Sequence, residues 1–210
     1  MQNPIRILVL TMLAAGGAAQ AQNHTLKLGV TRYDTHAKTT GITGAGIPPG
    51  ADATIGDATT ALLTYEYALS PQVGLELVLG VPPKIKAQAS GSVAFLGEVM
   101  TARNVAPTLF LTYHFGTAAD TVRPYAGLGI NYTRFTDVKS PYGWDVSLSD
   151  SLGLAAHVGV DWRLGKQWGL WASLGAVDVR SRLVATGATV LQTTVDFRPL
   201  TYSAGALFRF

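Results

Sequence analysis

The chain has 210 residues, of which only 14% are charged and 48% are hydrophobic, whereas soluble domains carry about 25% charged residues. It has 23 glycines and no cysteine, which excludes disulfide scaffolds, thiolate metal sites and cysteine nucleophiles. The net charge of +3 is dispersed without a basic run, so nucleic acid is not expected as a partner, and a mean hydropathy of +0.23 points toward lipid.

Residues 1–21 read as a cleaved secretory signal. Arg6 precedes the apolar stretch Ile-Leu-Val-Leu-Thr-Met-Leu-Ala-Ala-Gly-Gly-Ala-Ala, and Ala19 and Ala21 flank Gln20 in the small-x-small pattern of a cleavage site. The stretch is too short for a spanning helix, which needs roughly 20 residues. Cleavage after Ala21 leaves Gln22 at the start of one domain, 22–210. Beyond residue 21 the chain holds no apolar run of the length a membrane helix requires, so its hydropathy must be arranged in another way.

Period-two alternation supplies it. Strands are expected at 25–33, 61–69, 73–81, 109–115, 125–133, 152–164, 168–176 and 201–210. In 73–81, Val73, Leu75, Leu77, Leu79 and Val81 share one face against Gly74, Glu76, Val78 and Gly80. In 152–164, Leu152, Leu154, Ala156, Val158, Val160, Trp162 and Leu164 oppose Gly153, Ala155, His157, Gly159, Asp161 and Arg163. After 168–176 the phase is lost near Asp178. The connections alternate between long (34–57, 82–104, 134–150, 181–196) and short (70–72, 116–121, 165–167).

Eight strands with this asymmetry predict an all-β, eight-stranded antiparallel up-and-down transmembrane β-barrel. Its short turns and both termini are expected on the periplasmic side of the bacterial outer membrane. The stretches 39–60 and 137–151 read as external loops without a core of their own. Aromatic residues on the apolar face near strand ends, among them Tyr65, Tyr113, Trp162 and Trp168, suit interfacial girdles. The chain finishes on an alternation of Tyr202, Ala204, Ala206, Phe208 and Phe210. Its aromatic members Tyr202, Phe208 and Phe210 resemble the terminal signal read by the barrel-assembly machinery.

Five segments carry a resemblance to a known family: 74–86 (GLELVLGVPPKIK), 106–116 (APTLFLTYHFG), 123–135 (RPYAGLGINYTRF), 147–164 (SLSDSLGLAAHVGVDWRL) and 203–210 (SAGALFRF). Together they are similar to the OmpW family of small bacterial outer-membrane proteins, in family order and over most of the mature chain. The resemblance implies a non-catalytic barrel that helps small hydrophobic molecules cross or enter the outer membrane, with membrane lipids and the assembly machinery as further partners. The first long connection, rich in Gly, Ala and Thr with Pro48-Pro49, departs from the family pattern.

An eight-stranded barrel is just wide enough for its own inward side chains, which rules out a wide aqueous pore. Alternation turns Lys27, Glu66, Glu76, His114, Asp161, Arg163 and Arg209 inward as a polar layer, where opposite charges can pair. The many inward glycines either leave a narrow passage or let the strands curve. Trp171, Val177 and Val179 are candidate ligand contacts of the upper barrel. A solute captured among the outer loops and upper lumen, blocked below by the charged layer, would leave sideways into the bilayer.

A structural or surface-interaction barrel without transport remains open as an alternative, and a lipid-modifying enzyme is a more distant one. No His-x-Ser pair and no G-x-S-x-G elbow supports a hydrolase. The four histidines lack metal-ligand spacing, so neither metal nor cofactor is expected, and His114 and His157 read as hydrogen-bonding residues of the lumen. Nothing in the sequence sets the oligomeric state.

Overall fold

The computed structural model describes residues 23–35, 38–39, 41–187 and 190–210; the expected cleavage site, Ala19, Ala21 and Gln22, lies outside them. The barrel strands are β1 (His24–Asp34), β2 (Ala58–Ala68), β3 (Val73–Gly80), β4 (Thr108–His114), β5 (Val122–Lys139), β6 (Ser151–Arg163), β7 (Trp168–Val177) and β8 (Leu200–Arg209). Each pairs antiparallel with its neighbours in sequence, and β8 returns to β1 from Thr25↔Arg209 to Asp34↔Leu200. The eight strands thus close with no free edge, the condition for backbone to cross lipid as strands.

Alternation builds both faces. Outward Leu128, Leu152 and Leu154 are each 74% exposed, whereas inward Thr112 and Thr133 are 0% exposed, the apolar-out, polar-in arrangement of a membrane barrel. The outward aromatics cluster near the end that carries the termini. Trp168 packs on Phe208 and Phe208 on Phe210, while His24 lies against Tyr65, Tyr67 and Phe210.

The short connections sit at that end and are locally determined. In the turn between β2 and β3, Leu69 N–H and Ser70 N–H both donate to the Val73 carbonyl, and the Ser70 hydroxyl accepts from Val73 N–H at 3.0 Å. Between β4 and β5, Asp120 accepts from the N–H and hydroxyl of Thr117, both at 2.8 Å.

The opposite end differs from the expectation of loops without a core of their own, because 39–60 and 137–151 contribute strands to two sheets that share a core. In the first sheet Ala51–Ile55 pairs with Lys84–Gly91, that strand with Glu98–Val105, and the latter with the upper part of β5 at Arg134–Lys139. In the second, Asp145–Leu148 pairs with Val179–Thr186, which pairs with Val190–Phe197; Lys38–Thr39 and Thr43–Gly44 complete its edge. Ile85, Ala102 and Phe135 of the first sheet are buried against Val179, Val195 and Phe197 of the second. Apolar residues spaced singly among Gly, Ala and Thr conceal this core from a reading along the chain.

Two further expectations change. β5 continues past 133 to Lys139 because its upper half leaves the barrel ladder for the first outer sheet. The lost phase near Asp178 is a change of partner: Asp178 N–H donates to the Leu154 carbonyl at 2.9 Å, and Val179–Thr186 then joins the second sheet. Period two survives the junction, since Val177 and Val179 both face inward.

Candidate functional site

The lumen is divided into two chambers whose linings share no residue. Between them lies a buried ionic layer centred on Lys27, 1% exposed. β1 holds the Lys27 ammonium 3.1 Å from Glu76 Oε2 on β3, 3.4 Å from Glu66 Oε2 on β2 and 3.4 Å from Asp161 Oδ1 on β6. It also stands 4.3 Å over the centre of the Tyr125 ring, a cation–π contact that adds to the three ion pairs. Arg209 Nη2 reaches Asp161 Oδ2 at 3.4 Å, His114 Nε2 meets Glu66 Oε1 at 2.5 Å, and His157 Nδ1 faces Glu76 Oε1 at 3.7 Å. Charges taken from water demand such pairing.

Inward glycines make room for this layer. A Cβ on Gly74 would strike the Glu66 carboxylate, one on Gly127 the His157 ring and one on Gly159 the Tyr125 ring. The space that these glycines vacate is therefore filled by neighbouring side chains and is no passage. At Gly29 and Gly205, which face each other across the β1–β8 seam, a Cβ would run into the opposing backbone, so the close approach there requires glycine.

Six of the seven residues expected in the polar layer come together: Lys27, Glu66, Glu76, His114, Asp161 and Arg209. Arg163 is set apart; its Nη1 donates to the Ala118 carbonyl at 2.9 Å, and it lines the chamber at the termini end with Arg123 and Lys166. Tyr125 belongs to the layer although the sequence reading did not single it out; its inward phase in β5 was the available signal. Tyr202 and Phe208 lie on the outer face of β8 and Phe210 directly follows it, with Tyr202 and Phe210 exposed.

Trp171 departs from its expected place in the upper barrel. It pairs across β7 with Asp161 and Gly205, its ring centre lies 6.0 Å from the Lys27 ammonium, and it is buried with Leu62 and Leu207. It therefore stands beside the ionic layer and does not line the chamber above. The position in register explains the difference, because Trp171 is the fourth residue from the short-turn end of β7. Val177 and Val179, farther along, do line that chamber.

The chamber at the long-loop end combines the upper lumen with the shared core of the outer sheets. Leu62, Val78 and Phe110 rise from the barrel wall, Ile85, Phe135 and Phe197 descend from the sheets, and Asn131, Thr31 and Ser203 form a polar band. Its side wall is interrupted between β3 and β4. Their ladder ends at Val78↔Thr108, and pairing resumes with the Asn104 N–H to Pro83 carbonyl bond and Lys84↔Arg103. The gap contains Pro82 and Pro107 and is bordered by Pro83, and their nitrogens carry no donor. Pro83 and Ala106, at this interruption, line the chamber. Among the described residues no group of three or more His, Asp or Glu is arranged to hold a metal ion.

Comparison with known proteins agrees with this architecture. The profile of the OmpW family matches residues 20–210. The chain is 32% identical over 157 residues to outer membrane protein W of Vibrio cholerae, covering 70% of this chain and 72% of that one. It is 27% identical over 183 residues to the dibenzothiophene metabolism operon protein PahQ of Pseudomonas aeruginosa, covering 86% and 82%. The crystal structure of the outer membrane protein OprG from Pseudomonas aeruginosa superposes with a TM-score of 0.84 at 25% identity, covering 91% of this chain and 99% of that one.

Proposed function

Because the chain belongs to the OmpW family of outer-membrane β-barrels, we propose that it assists passage of small hydrophobic molecules into or across the outer membrane without catalysing a reaction. The observation that carries this reading is the largely apolar chamber at the long-loop end, closed below by the Lys27 layer and interrupted at the side between β3 and β4. An apolar solute gains about 25 cal/mol for each Å² it withdraws from water, so such a chamber concentrates it. The ionic layer opposes further movement along the axis, since a hydrophobic solute offers nothing in exchange for the ion pairs it would break. The remaining exit is sideways, past Pro83 and Ala106 into the bilayer.

In this reading residues 1–21 direct export, the termini face the periplasm and the outer sheets face the medium. The similarity to a protein named for a dibenzothiophene metabolism operon supports an apolar, aromatic class of solute. The test is the initial uptake rate of radiolabelled naphthalene by cells with and without the protein. A protein-dependent increase is expected; identical rates in the two strains would overturn the proposal.

A further inference from the structure

The polar groups in the upper chamber are mostly satisfied by one another. Asn131 Nδ2 donates to the Thr108 hydroxyl at 2.8 Å, Thr133 donates to Asn131 Oδ1 at 2.7 Å, and Ser203 donates to the Thr31 hydroxyl at 2.9 Å. Asn104 is different. Its backbone N–H donates to the Pro83 carbonyl at 3.2 Å, at the side interruption of the wall, and its side chain lines the chamber. Its Oδ1 is buried and has no hydrogen-bond partner among the described residues. A buried acceptor left unmade costs about 1–3 kcal/mol, and the apolar neighbours Ile85 and Phe135 cannot relieve it.

Tyr33 reaches toward the same wall. Its hydroxyl lies 3.8 Å from where a Cβ on Gly80 would stand, and Gly80 and Pro83 both line the chamber on the segment leaving β3. Tyr33 lines it too. A donor-acceptor hydroxyl and an unpaired amide oxygen therefore border one side of a largely apolar space whose other polar groups are mostly paired with one another.

We propose that the solute is an amphiphile: an apolar body bearing one hydroxyl or amine, whose hydrogen is received by Asn104 Oδ1 and whose heteroatom accepts from Tyr33. This inference rests on the transport reading and narrows its substrate class. The apolar body lies against Leu62, Val78 and Phe110, and the polar head is held where the wall opens between β3 and β4. A bare hydrocarbon leaves the Asn104 acceptor unmade, so the chamber discriminates by head group among molecules of equal hydrophobic area.

The test compares 1-naphthol with naphthalene, which share a ring system and differ by one hydroxyl. Protein-dependent uptake of each radiolabelled probe is measured in cells making the wild-type chain, Tyr33→Phe, or the double variant Tyr33→Phe/Asn104→Leu. Heat-modifiable migration on denaturing gels verifies that each barrel is folded. One to two hydrogen bonds predict a naphthol-to-naphthalene ratio of roughly threefold to tenfold for the wild type, reduced in Tyr33→Phe and about one in the double variant. A wild-type ratio of one with naphthalene uptake still protein-dependent overturns the head-group inference and leaves the transport reading standing. A ratio kept by the folded double variant overturns it as well. Uptake of neither probe overturns both.

Discussion

The imidazole of His157 lies flat on the ring of Phe110, with centroids 4.0 Å apart and planes 8° from parallel. Phe110 turns toward the apolar chamber, while His157 faces Glu76 in the ionic layer. This stacked pair joins the floor of the apolar chamber to the ionic layer beneath it. Phe110→Ala should destabilise the barrel by about 3–5 kcal/mol, as for other buried aromatic deletions. It should leave conductance in planar bilayers at the wild-type level, because the Lys27 layer still closes the lumen. A new conductance in this variant would show that the stack, and not the ion pairs, makes the seal.

Lys27 serves three carboxylates at once, each within 3.4 Å. Lys27→Met keeps much of the volume but leaves Glu66, Glu76 and Asp161 facing one another without their shared cation. The loss expected from breaking a buried pair is about 3–5 kcal/mol. Urea unfolding monitored by gel migration should move to lower denaturant by a corresponding amount; an unchanged midpoint would mean that water or Arg209 already satisfies the carboxylates.

The β1–β8 seam depends on small size at Gly205. A Cβ there meets the Leu28 carbonyl and the Gly29 backbone, so Gly205→Val forces the two strands apart exactly where the barrel closes. Overpacking of this kind costs typically 1–3 kcal/mol. Slower appearance of the heat-modifiable band during refolding is the expected outcome, whereas Ala204→Val, on the outer face of the same strand, should refold normally.

Filling the upper chamber tests the proposed passage of solute apart from folding. Val177 lines it from β7 at the junction with the second outer sheet. Val177→Phe should lower protein-dependent naphthalene uptake severalfold while the barrel still migrates as a folded species. Undiminished uptake by a folded Val177→Phe barrel would place the route outside this chamber.

The turn 116–121 lies outside the membrane and allows a prediction in pH. The N–H of Thr117, and then its hydroxyl, hold the Asp120 carboxyl below the ordinary aspartate value. A depressed value means that the turn gains from ionised Asp120 above the unfolded aspartate range and loses that gain as pH falls through the lower folded value. NMR titration should show the Asp120 carboxyl and the Thr117 amide moving together at a midpoint below that of a free aspartate. Separate midpoints for the two would remove the hydrogen bond from the account.

Alternation in Val73–Gly80 and Ser151–Arg163, and short turns such as Ser70-Pro71-Gln72, were enough to determine the barrel's strand count, its topology and which face meets lipid. These properties are local: a strand's side chains alternate whatever surrounds it, and a two- or three-residue turn leaves its strands no partner but each other. The same rule identified six members of the ionic layer, since facing inward near one end of a narrow barrel suffices to bring Lys27, Glu66 and Asp161 together. Height along the barrel axis was beyond it. Trp171 stands beside Lys27 and not near the loops because register against β6 and β8 sets its level, and register is a relation between strands. The shared core of Ile85, Phe135, Val179 and Phe197, and the unpaired Asn104 beside it, likewise arise from segments far apart in sequence that meet only when the barrel has closed beneath them. What the sequence by itself determined was which side of each strand faces lipid; what the tertiary structure decided was how those sides are stacked, because burial and pairing depend on neighbours that only closure supplies.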